Sequence, residues 1–121
     1  MTVKTTPAQE WRLAQKIRLA SVIASRSGLV GEDRECLNYL VRNFPNFHKI
    51  CANCSNEQII CAFAFYIMKT RDTRLQIENY TVFRECDLTD KVYLTIITRL
   101  CNYYQKNQPL KKGKTNYYDG I

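Results

Sequence analysis

Cys51-x-x-Cys54, with His48 three residues upstream, is the one constellation in this chain whose residue types and spacing match metal chemistry. A zinc ion wants four thiolate or imidazole ligands at tetrahedral positions, usually supplied as two pairs, and a second pair is missing here. Cys61, one to two turns into the central helix that follows, is a conceivable fourth ligand, but its place there suits a core thiol. The sequence therefore predicts no metal. A redox role for the CxxC has less support still, because no βαβ pattern surrounds it. His48 is the only histidine. A general base needs a partner at hydrogen-bond distance and a cleft, and the residues around it identify neither. Neither a GxxxxGK[ST] phosphate loop nor a GxGxxG turn is present, and the acids sit beside basic residues or at helix starts, where capping accounts for them. No enzyme and no cofactor is expected.

What remains is positive charge interleaved with aromatic rings. The chain has 121 residues and a net charge of +7, with +4 carried by residues 1–31, −1 by 32–68, +1 by 69–104 and +3 by 105–121. Basic charge concentrated toward the two ends attracts polyanions through counterion release, whether nucleic acid, an acidic protein surface or an anionic membrane. Phosphate contacts need only cations at suitable spacing, which makes Arg12, Lys16, Arg18, Arg26, Lys69, Arg71, Arg74 and Arg99 the candidate nucleic-acid-binding residues. Arg12 and Lys16 fall one turn apart on one helix face and read as either a solvated face or a phosphate track. Tyr103, Tyr117 and Tyr118 suit stacking on unpaired bases or, alternatively, core or rim packing for Tyr103 and disorder for the tail pair.

The elements that would position these groups surround Ile59–Met68, ten consecutive apolar residues. That run is too short for a bilayer, which needs about 20 residues of helix, and too oily for a wet surface. Ser55 and Gln58 have the spacing of a capping box, so a central helix over 55–70 is expected. Thr6, Pro7 and Gln9 open an earlier helix that runs to about Ser25, with Leu13, Ile17, Ala20 and Ala24 as its stripe. Trp11, Leu19, Val22 and Ile23 fall elsewhere on the wheel, so this helix is apolar on more than one side. Its second face suits either a neighbouring helix or another subunit.

Gly28 suits the left-handed position that ends a helix. Glu32 and Asp33 begin the next, with Cys36, Leu37, Leu40, Val41 and Phe44 inward and Pro45 as its stop. Residues 75–83 fit a helix or a strand; helix is chosen, because a lone strand has no partner for its backbone. The last helix begins near Asp87 or Thr89 and buries Tyr93, Ile96, Ile97, Leu100 and Tyr104. The expected organisation is an N-terminal arm (1–6), one all-α bundle of about five helices (7–106) and a basic, mobile tail (107–121). With 45% hydrophobic residues, a core of that size can form. With no apolar leader after Met1 and no spanning run, the expected setting is cytoplasmic, with six reduced thiols and no membrane partner.

A small, basic, cysteine-tolerant bundle of this kind resembles the small subunits of CRISPR effector complexes, in size, helix count, charge and the lack of a catalytic constellation over residues 7–106. The resemblance implies a helical bead in an antiviral ribonucleoprotein that holds guide, target or displaced strand, RNA or DNA, through the eight cations above. The apolar side of the first helix would then meet other subunits of the complex, copies of itself among them. NEQIICAFAFYIM, followed by TRLQIE and LTDKVYLTIITRL, also resembles a cyclin-box repeat of general transcription factors, which implies a module that binds nucleic acid and protein. A protein-only adaptor is the third class.

Overall fold

Pro7 presets the first helical φ angle, and from it α1 runs over Pro7–Ser27. The structure, a computed structural model, describes residues 7–43, 47 and 51–107, with side chains as far as Asn102. Thr6, the expected cap of α1, lies outside these residues, as do Phe44, Pro45, His48, the arm and the tail beyond Asn107. After α1 come α2 (Glu32–Asn43), α3 (Asn56–Arg71), a 3₁₀ turn (Ile77–Asn79), α4 (Thr81–Glu85) and α5 (Asp90–Asn107), with no strand among the described residues. The chain is all-α, with about five helices packed compactly.

α1 ends because Gly28 turns left-handed, at φ 85°, and the Leu29 amide reaches back to the Ala24 carbonyl at 2.9 Å. This is a Schellman closure, and it buries Leu29 against the end of the helix it stops. The core side of α1 consists of Lys16, Ala20, Ile23, Ala24 and Ser27. Leu13 and Ile17, expected inside, are only partly covered, and Ile23, expected elsewhere, is in the core. The buried line is thus rotated from the one that apolarity alone selects, since contact with α2 and α3 decides which side faces inward.

Glu32, Asp33 and Glu35 place negative charge at the positive end of the α2 dipole. Leu37, Leu40 and Val41 are buried, whereas Cys36 is exposed. Arg34 ties α2 to α1 by donating to the Ser21 hydroxyl at 2.7 Å and the Ser21 carbonyl at 3.3 Å.

α3 is the centre. The Gln58 amide donates to Ser55 Oγ at 3.1 Å and the Ser55 amide donates to Gln58 Oε1 at 3.0 Å, which completes the expected capping box. From Ile59 to Met68 every residue except Tyr66 is buried, because α1, α2, α4 and α5 all pack against this helix. Its rings fix the packing at both levels. Phe63 meets Phe47 edge-on at 5.8 Å, and Phe65 meets Phe83 and Tyr93 at 5.6 and 5.1 Å.

Residues 75–83 are not one helix. They form the 3₁₀ turn and the start of α4, separated by Tyr80 in an extended conformation. Two short turns suffice because Ile77, Val82 and Phe83 are the anchors, and each turn satisfies its own amides through Tyr80 to Ile77 and Phe83 to Tyr80 bonds. α4 ends like α1, but with Asp87 at φ 59° where a glycine is usual, and the Leu88 amide returning to the Phe83 carbonyl at 2.9 Å. Gln58 clamps this turn by donating from Nε2 to the Asp87 carbonyl at 3.1 Å. Thr89 then caps α5 by accepting from the Val92 amide at 3.2 Å. Tyr93, Ile96, Ile97 and Leu100 are buried as expected; the side chain of Tyr104 lies outside the described residues.

Candidate nucleic-acid interface

The eight cations do not form one track. Arg26 pairs with Glu85 at 2.6 Å, Arg71 with Asp33 at 2.7 Å and Arg74 with Asp72 at 3.1 Å. The Arg71 guanidinium also donates from Nε to both Asp33 oxygens at 2.8 Å. Such exposed pairs add little to stability, yet they matter for binding, because an arginine already facing a carboxylate must give it up to meet a phosphate. The pairing shows on both sides: Arg71 is held more firmly protonated by Asp33, and the Asp72 carboxyl lies below its ordinary range because Arg74 donates to it from side chain and backbone.

Lys16 is withdrawn from the surface. It is 8% exposed, with Nζ 4.2 Å from the centre of the Phe47 ring. Burial and the neighbouring Arg12 charge lower its pKa. Its stem packs among apolar groups while the ammonium finds an aromatic face, so it serves the core. Lys69 is half-buried, 5.8 Å from the Phe65 ring, at the edge of a groove that Leu75, Glu78, Arg84, Asp90 and Tyr93 also line. Acid and base alternate there, so the groove has no strong preference for either sign.

Arg12, Arg18 and Arg99 remain exposed, with no carboxylate at ion-pair distance among the described residues. Two of them are on α1. Trp11, Arg18 and Val22, at i, i+7 and i+11, follow one line on the side opposite Ala20 and Ala24, and Arg12 and Leu19 lie together to one side of it. Trp11 is 64% and Val22 50% exposed. Beside them a shallow groove runs toward the start of α3, where Gln15, Arg18, Leu19 and Val22 face Asn56 and Glu57. The outward side of α1 therefore offers a large aromatic ring, two free guanidinium groups and modest apolar area in one place.

Trp11 is absent from the sequence-derived set of contacts, although it is the only tryptophan and lies off the predicted stripe. Its position on the wheel relative to Arg18 was the available signal. Arg99 lies apart on α5, close enough to Cys54 for its charge to favour the thiolate.

No group of three or more histidine, cysteine or acidic residues among the described residues can hold a metal ion, and no described helix is long and apolar enough to cross a membrane. Comparison of the chain with protein-family models, curated proteins and solved structures finds no match.

Proposed function

We propose that this protein is a non-catalytic helical subunit of a nucleoprotein assembly, in the manner of a CRISPR effector small subunit, and that it holds a nucleic-acid backbone without reading sequence. The observation that carries this reading is the outward side of α1, where Arg12 and Arg18 are exposed and unpaired next to Trp11. Guanidinium groups suit phosphate geometrically, and an exposed indole beside them suits the face of an unpaired base. Of the eight cations, Arg12, Arg18 and, on α5, Arg99 are the contacts this reading retains.

A second reading, a cyclin-box-like module that binds nucleic acid and protein, is favoured by the way four other helices enclose α3. Both readings place the protein inside a larger complex.

Trp11 supplies its own assay. Titration of the purified protein with single- and double-stranded DNA and RNA at low salt should quench its fluorescence, with affinity falling steeply as salt rises. Absence of binding to all four at low salt overturns both readings and leaves a protein-only adaptor. Light scattering of the bound species distinguishes them: growth of the particle along the strand supports an arraying subunit, and one copy per strand supports the cyclin-like module.

A further inference from the structure

We propose that Cys51 and Cys54 form a reversible dithiol–disulfide site, oxidised by exchange with a small-molecule disulfide of the glutathione type. The two Sγ atoms lie 2.8 Å apart. A disulfide bond is about 2.05 Å long, so the sulfurs need close by less than about 1 Å to join. A zinc ion would need the opposite movement, since two thiolates on one tetrahedral zinc stand about 3.8 Å apart given Zn–S bonds of about 2.3 Å. The turn already holds a shape that favours the bond over the metal.

The surroundings keep it there. The Cys54 amide donates to the Cys51 carbonyl at 3.3 Å, which closes the turn and sets the two side chains on one side. On the upstream side the Cys51 amide donates to the Phe47 carbonyl at 3.0 Å, and the Phe47 ring is locked against Phe63. On the downstream side Ser55 is fixed as the cap of α3. Neither anchor has to move for the sulfurs to meet.

The short sulfur–sulfur approach marks this pair, and one of its thiols is accessible. Cys51 is buried and Cys54 is partly exposed, so a reagent enters at Cys54. Cys36 is exposed and has no cysteine partner among the described residues; Cys61 is closed to solvent and hydrogen-bonds with the partly exposed Cys86, so that pair is the competitor the test must separate. The Cys54 thiol loses its proton to solvent, its sulfur attacks one sulfur of the small disulfide, and that disulfide's other half departs as a thiolate. Cys51, deprotonated in turn, attacks Cys54 Sγ and expels the second half. Two protein thiols are oxidised, one small disulfide is reduced to two thiols, and the two protons end on the leaving thiolates. Burial and the neighbouring Cys51 raise the Cys54 thiol to about 11, against the pull of Arg99, so the first attack is slow at neutral pH.

The test equilibrates the full-length protein with mixtures of oxidised and reduced glutathione, alkylates what remains and reads the intact mass and peptide map. Of the six free thiols, two should become unreactive, joined as Cys51–Cys54, and excess reduced glutathione should restore both. Cys36→Ser and Cys101→Ser should leave this unchanged. Cys51→Ser should stop at a mixed disulfide on Cys54, a trapped intermediate that a variant unable to fold would not give selectively. Six reactive thiols after oxidation, a link mapped to Cys61 and Cys86 instead, or a metal that co-purifies with the pair and blocks oxidation would each overturn the proposal.

Discussion

α1 and α3 lie side by side in one core and divide its tasks. α3 is packed against the other four helices, and its ten-residue apolar run has almost no surface, so that run can contribute only cohesion. α1 buries one line, Lys16, Ala20, Ile23, Ala24 and Ser27, and leaves Trp11, Arg12, Arg18 and Val22 in solvent. Enclosure removes a helix from binding, and a helix that packs through one side only stays available on the other. Changes in α3 should therefore alter stability, and changes on the outer side of α1 should alter binding alone.

The sharpest division is expected at Phe63, which is fully buried and edge-on to Phe47. Phe63→Ala should cost about 3–5 kcal/mol of unfolding free energy in a denaturant titration, the range for a phenyl ring lost from a packed core. A loss of under about 1 kcal/mol would mean that α3 is not the centre of cohesion.

Alkali should act on the same core. Burial, and the neighbouring Cys86, push up the Cys61 thiol, and burial with Cys101 nearby pushes up the Tyr93 phenol. Both stay protonated in the fold, while in the unfolded chain they ionise near their ordinary values of 9.0 and 10.0. A raised folded pKa means that their contribution is complete below pH 9 and is lost as pH climbs above it, by up to about 1.4 kcal/mol per pH unit for each group. Cys61→Ala and Tyr93→Phe should each flatten the alkaline limb of stability against pH.

On α1 the expected pattern reverses. Arg12→Glu with Arg18→Glu should weaken single-stranded nucleic-acid binding by about ten- to a hundredfold at low salt and reduce the salt slope by about 1.5, with the unfolding midpoint unchanged. A matching loss of stability would place these arginines in the fold and dissolve the distinction between the two helices.

The smallest effect belongs to the turn between α4 and α5. Asp87 sits at φ 59°, where a side chain is disfavoured, and Asp87→Gly should raise stability by up to about 1 kcal/mol in thermal or denaturant unfolding. The Gln58 side chain donates to the backbone carbonyl at this position, so its bond survives the change.

Most of the architecture was legible in the residues. The Ser55–Gln58 box, the stop at Gly28, the acids opening α2 and the stripe from Tyr93 to Leu100 all depend on neighbours within about four positions, which is the reach of a helical turn. The chief departure in the fold, residues 75–83, came from a stretch whose pattern matched two periods, and burial of Ile77, Val82 and Phe83 by other helices chose between short turns and one helix. The candidate site was far less legible. Eight cations looked equivalent along the chain, yet Arg71 meets an acid 38 positions away, Arg26 is occupied by Glu85 from α4, and Lys16 lies under the ring of Phe47.

By itself, the amino-acid sequence determined that the chain would be helical, where most helices start and stop, and that one oily helix would lie in the middle, because capping and periodicity act over a few bonds. Only the tertiary structure decided which charges are spent on each other and which stay free, because an ion pair needs its two partners brought within 4 Å and that distance is set by helices far apart in the chain. The same packing turned Trp11 outward beside Arg18 and pressed Cys51 against Cys54.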